Sequence, residues 1–100
     1  MPHPCELIAE LIAERGWTQT KLAGLMGRPH QLVNEIIHGK REITPETALQ
    51  LAAAFGSSDR YFMNMETSYR LWFAGQKEAS RLDAIRERVR VEESATKKAR

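Results

Sequence analysis

Residues 18–39 read Thr18-Gln19-Thr20-Lys21-Leu22-Ala23-Gly24-Leu25-Met26-Gly27-Arg28-Pro29-His30-Gln31-Leu32-Val33-Asn34-Glu35-Ile36-Ile37-His38-Gly39. Thr18 is a good N-cap for a short helix, with Leu22, Ala23 and Met26 on its inner face. Gly27 stops that helix. Pro29 suits the first turn of the next one, which ends at Gly39. At 100° per residue, Leu32, Val33, Ile36 and Ile37 share one side of this second helix. His30, Gln31, Asn34, Glu35 and His38 share the other. Two short helices joined by about three residues form a helix-turn-helix unit, whose second helix enters the major groove while the first crosses the backbone.

Helical periodicity continues on both sides. Leu7, Ile8, Leu11 and Ile12 give an apolar face to a first helix from about Pro4 to Arg15, and Glu6, Glu10 and Glu14 form its wet face. Thr44-Pro45-Glu46 opens a fourth helix that ends at Phe55-Gly56. Ser57 and Ser58 are the expected caps of a fifth, aromatic-rich helix through Phe73. Gly75 is the expected break. Beyond it, residues 76–100 carry eight basic and five acidic side chains. Their large apolar stripe is Leu82, Ile85 and Val89, too thin for a core of its own. No stretch alternates as a strand does. The expected fold is therefore all-α: a five-helix helix-turn-helix bundle over residues 1–75, with an additional charged C-terminal helix over 76–100.

The 100 residues allow one core, and 42% hydrophobic with 28% charged residues fits a globular chain. The lone Cys5 allows no internal disulfide. The opening residues lack the basic and apolar segments of a signal peptide, and no apolar run approaches a membrane span. A cytoplasmic protein is expected. Net charge is only +2, but residues 17–41 hold Lys21, Arg28, Lys40 and Arg41 against Glu35 alone. A local positive patch is what a phosphate backbone meets.

The outer side of the third helix carries hydrogen-bonding side chains in place of the usual lysine–glutamate mixture. Gln and Asn pair bidentately with adenine, His donates or accepts, and Glu accepts from cytosine. Arg28, before the helix, and Lys40 and Arg41, after it, suit flanking phosphates. Glu35 is the exception in charge; it either reads a base or pairs with Arg28 or Lys40. Enzymatic chemistry has no support: there is no nucleophile elbow, phosphate-cradling glycine loop or paired carboxylate. His3 and Cys5 lack further ligands at finger-like spacing, so neither metal nor cofactor is expected.

Residues 17–56, from W-T-Q-T-K-L-A-G-L-M-G-R-P through I-T-P-E-T-A-L-Q-L-A-A-A-F-G, resemble the lambda-repressor-like (XRE) helix-turn-helix family. The chain resembles HigA-type antitoxins more narrowly. His3-Pro4-Cys5-Glu6 stands where that subfamily has H-P-G-E. Tyr61-Phe62-Met63-Asn64-Met65-Glu66, then Tyr69 and Leu71-Trp72, stand where it has an F-W-L-N-L-Q-x-x-Y-x-L-W-like stretch. The resemblance implies base contacts from His30, Gln31, Asn34 and Glu35. It implies backbone contacts from Thr18, Gln19, Lys21, His38, Lys40 and Arg41, to which the position of Arg28 before the helix adds one more. It also implies an antitoxin that binds double-stranded operator DNA, represses its own operon and neutralises a HigB-type RNA-cleaving toxin. The alternative is a stand-alone or phage-derived transcriptional regulator without a toxin. A bundle of this size can hardly bury every aromatic of the fifth helix. The expected surplus, Phe62, Met65, Tyr69, Trp72 and Phe73, is assigned to a homodimer interface, since helix-turn-helix proteins usually read two half-sites.

Overall fold

Three of the helices begin where a side chain supplies a partner for free backbone N–H groups. A computed structural model describes residues 3–98, so the outermost residues of both expected segments lie outside it. It contains α1 (Pro4–Glu14), α2 (Gln19–Met26), α3 (His30–Ile37), α4 (Pro45–Phe55) and α5 (Tyr61–Lys98). The N–H of Cys5 donates to His3 Nδ1 at 3.1 Å, that of Lys21 to Thr18 Oγ1 at 3.0 Å, and that of Thr47 to Thr44 Oγ1 at 3.3 Å. These are the N-caps of α1, α2 and α4. Gly27 closes α2 at φ 67°, a left-handed conformation that a residue with a Cβ adopts only under strain.

The apolar faces converge as their spacing requires. Ile8 and Ile12 of α1, Leu22 and Ala23 of α2, and Leu32, Val33 and Ile36 of α3 pack with Ala48, Leu51 and Phe55 of α4. Leu7, Leu11, Met26 and Ile37 are half-buried against them. At one edge Trp17 stacks on Phe55 with ring centroids 5.7 Å apart, and Arg15 lies over both rings while its Nη2 donates to the Phe55 carbonyl at 3.2 Å.

Four local expectations change. Pro29 is the residue before α3, with extended backbone, and not its first helical residue. Ser57 and Ser58 precede a turn and do not cap α5, which starts at Tyr61. Gly75 does not interrupt α5: it lies within a run of good helix formers, and one glycine costs only about 1 kcal/mol there. The charged segment is thus the continuation of the fifth helix. Phe62 belongs to the core and not to a dimer interface: it is fully buried within the chain, its ring 5.8 Å from that of Phe55. A side chain with no exposed surface has none left to give a partner.

The chain divides into two compact units, residues 1–70 and 71–100. In the second, ion pairs run along the helix itself, Glu78 with Arg81, Asp83 with Arg86 and Glu87 with Arg90. Each sets the acid N-terminal to the arginine at i,i+3, the spacing that supports a helix locally. Among the described residues no helix is long and apolar enough to cross a membrane.

Candidate nucleic-acid interface

The buried residues of α3 fix which side chains remain outside. With Leu32, Val33 and Ile36 docked, His30, Gln31 and His38 are exposed, and Asn34 and Glu35 are half-buried. His30, Gln31, Asn34 and Glu35 therefore stand on the accessible part of one short helix, with His38 at its C-cap. They are not independent of one another.

Asn34 Nδ2 donates to Gln19 Oε1 at 2.9 Å, so a residue of α3 is tied to the first residue of α2. Gln31 Nε2 donates to Glu35 Oε1 at 2.9 Å, and Arg41 Nε donates to Glu35 Oε2, also at 2.9 Å. Glu35 thus pairs with Arg41, not with Arg28 or Lys40. The loop after α3 turns back far enough to bring residue 41 within reach, whereas Arg28 is engaged elsewhere. The Arg41 guanidinium, with further help from Gln31, holds the Glu35 carboxyl below the usual carboxylate range. His38 Nδ1 lies 2.7 Å from the Asn34 carbonyl oxygen. That oxygen can only accept, so Nδ1 carries the proton and a neutral His38 keeps Nε2 as an acceptor.

The expected phosphate contacts fall into two groups. Lys21, Lys40 and Arg41 are exposed, and Thr18 and Gln19 stand at the start of α2. Four early N–H groups of a helix lack intrahelical acceptors, which favours anions at such an end. Arg28 is held on α4 in this structure: Nη1 donates to Gln50 Oε1 at 2.9 Å and lies 3.8 Å from Glu46 Oε1. Nothing near residue 28 in the sequence announces Gln50, which is one helix and a loop away.

A second cluster escaped the sequence reading. Arg70 binds Glu66 at 2.9 Å and also Glu42, in the loop that carries Lys40 and Arg41. Glu66 is 3% exposed, and its Oε2 has no hydrogen-bond partner among the described residues. These groups, with His3, Gly39, Lys40 and Arg41, line a polar cleft of about 230 Å³. The i,i+4 spacing of Glu66 and Arg70 was legible; the link to Glu42 depends on tertiary packing. Tyr69 belongs to the same region, its ring edge-on to His3 with centroids 4.5 Å apart.

Comparison with known proteins bears on the family and the fold. A helix-turn-helix family model matches residues 8–62. Virulence-associated protein I of Dichelobacter nodosus is 34% identical over 79 residues, which is 78% of this chain and 73% of that protein. Among solved structures, an addiction module antidote protein of a HigA family from Coxiella burnetii is 30% identical, with a TM-score of 0.77 over 83% of this chain and 91% of that one. The Pseudomonas aeruginosa antitoxin HigA, solved with the higBA promoter, is 25% identical, with a TM-score of 0.78 over the same shares. The all-α helix-turn-helix expectation holds, and the family is one of DNA-binding regulators and antitoxins, not of enzymes. Its sequence and its architecture together place the chain in the helix-turn-helix family, as a HigA-type member.

Proposed function

We propose that this chain is a cytoplasmic antitoxin that reads operator DNA with α3, represses its own operon and neutralises a HigB-type RNA-cleaving toxin. The observation that carries the reading is the accessible side of α3, where His30, Gln31, Asn34 and Glu35 stand between the start of α2 and the exposed Lys40 and Arg41. Such an array gives base edges their hydrogen-bond partners and phosphates their cations. The related antitoxin HigA from Pseudomonas aeruginosa was solved with the higBA promoter, and its likeness to this chain supports the reading.

DNA reading of this kind works best in pairs. Leu71, Trp72 and Phe73 are exposed, apolar surface that a second copy would cover in part. The homodimer then reads a pseudo-palindrome with half-sites about 34 Å apart, or a multiple of that.

The test has two arms. Footprinting on the DNA upstream of the gene should show a protected pseudo-palindrome, and sedimentation should show a dimer that Phe73→Glu converts to a monomer. Co-expression with a basic protein from an adjacent reading frame should restore growth that the basic protein alone arrests. Protection without growth rescue would make the chain a stand-alone regulator. Absence of protection would remove the operator reading altogether.

A further inference from the structure

We infer that Glu35 is a positioning residue that makes Gln31 select adenine over guanine and restrains Arg41 on DNA of the wrong sequence. The inference rests on the reading of α3 as the base-reading helix.

An ionised carboxylate only accepts, and the Arg41 guanidinium favours the ionised form of Glu35. Its Oε1 lies 2.9 Å from the Gln31 side-chain nitrogen. That contact settles which way the Gln31 amide faces, since the amide oxygen would be repelled there. It also uses one of the two N–H groups of Gln31. What remains is one donor and one acceptor. Adenine shows one acceptor, N7, and one donor, the N6 amine, in the major groove. Guanine shows two acceptors, N7 and O6. An unrestrained glutamine has two N–H groups to offer guanine; Gln31 held by Glu35 has one. The bond to Glu35 therefore changes the hydrogen-bonding pattern of the reader without touching the base.

The other carboxylate oxygen restrains the cation. Arg41 Nε is held at 2.9 Å by Glu35 Oε2, which leaves the two terminal nitrogens of the guanidinium for a phosphate. The charge of Arg41 is offset by Glu35 until a phosphate is placed to compete for it. Random DNA meets a nearly neutral pair, whereas a matched site that seats Gln31 also seats Arg41. Base recognition and phosphate attraction are coupled through one side chain.

The test compares wild-type chain with Glu35→Ala, Glu35→Gln and Gln31→Ala in selection from duplexes with a randomised centre, followed by salt titrations. Wild type should enrich a motif in which one base pair per half-site is assigned to Gln31 by loss of preference in Gln31→Ala. Glu35→Ala should cut the adenine-over-guanine preference at that same pair about tenfold. It should also bind random duplex more tightly, with a salt slope steeper by about one unit because Arg41 is released. Glu35→Gln keeps an acceptor for Gln31 but loses the charge, so it should retain much of the preference while the random-DNA slope steepens. A purely structural role would leave base preference at a single pair unmoved. Wild-type preference in Glu35→Ala overturns the inference while leaving base reading by α3 standing. Failure of the wild-type chain to enrich any motif overturns both.

Discussion

The side-chain amide of Asn34 donates to that of Gln19 across 2.9 Å, joining the reading helix to the first residue of the helix before it. Gln19 keeps its own N–H groups available at the start of α2, where phosphate contacts are expected. The two residues should therefore act as a unit on DNA. Gln19→Ala and Asn34→Ala should each weaken operator binding, and the double variant should lose less than the sum by about 0.5–1.5 kcal/mol. Anisotropy titrations of the four proteins give the coupling directly. Strictly additive losses would show that the bond has no part in recognition.

Lys40 lies three residues beyond the reading helix and is exposed, and among the described residues it makes no carboxylate ion pair like that of its neighbour Arg41. Its expected role is attraction to the backbone with no sequence preference. Lys40→Ala should weaken specific and random duplex alike and lower the salt slope by about one unit. A slope equal to wild type places Lys40 away from the phosphates.

Phe62 fills the core beneath Phe55 and has no exposed surface. Phe62→Ala leaves a cavity that rigid helices close only in part, and should lower unfolding free energy by about 3–5 kcal/mol. Urea unfolding measures this. A loss under 1 kcal/mol would mean that Phe62 is not the core residue described above.

The sequence carried α2 and α4 because both have local punctuation at each end. Thr18, Gly27, Thr44 and Gly56 each act on their own neighbours, and each has the cap role their residue types suggest. The apolar faces followed from periodicity for the same reason. The fifth helix was harder: serines resemble caps wherever they stand, and a glycine breaks a helix only if its neighbours do not hold it. Phe62 looked like surplus because spacing alone cannot say which of several aromatics a small core admits. The site was legible as a set of residue types on one face of α3. Its internal bonds were not, because Glu35–Arg41, Arg28–Gln50 and Arg70–Glu42 all depend on how loops and helices meet.

The depressed Glu35 carboxyl has a definite pH consequence. Its folded pKa lies below its unfolded value, chiefly because of Arg41. Such a group stabilises the fold above the unfolded value and loses that contribution as pH falls through the folded one. A carbon-detected NMR titration should show Glu35 taking up its proton at lower pH than a solvated glutamate. Arg41→Ala should move its titration upward toward that of an ordinary glutamate. No upward movement in Arg41→Ala would mean that Arg41 is not the cause.

The far part of α5 poses the last question, which concerns where it docks. Its ion pairs, Glu78–Arg81, Asp83–Arg86 and Glu87–Arg90, lie along the helix and contribute only a few tenths of a kcal/mol each at such exposure. Ordering the backbone costs about 1–2 kcal/mol per residue, so local pairs do not hold it by themselves. Leu82, Ile85 and Val89 form an exposed stripe, and each would contribute about 1.5–3 kcal/mol if covered. Two surfaces could cover it: the same stripe on a second copy, or a toxin. The arginines at 81, 86, 88 and 90 disfavour a basic RNA-cleaving partner, whereas a second copy also brings Glu78, Asp83 and Glu87 to face them. Deleting residues 78–100 should then raise the dimer dissociation constant in sedimentation while toxin capture persists. A truncated chain that dimerises as well as the full chain but no longer captures toxin would make this segment the neutralising element.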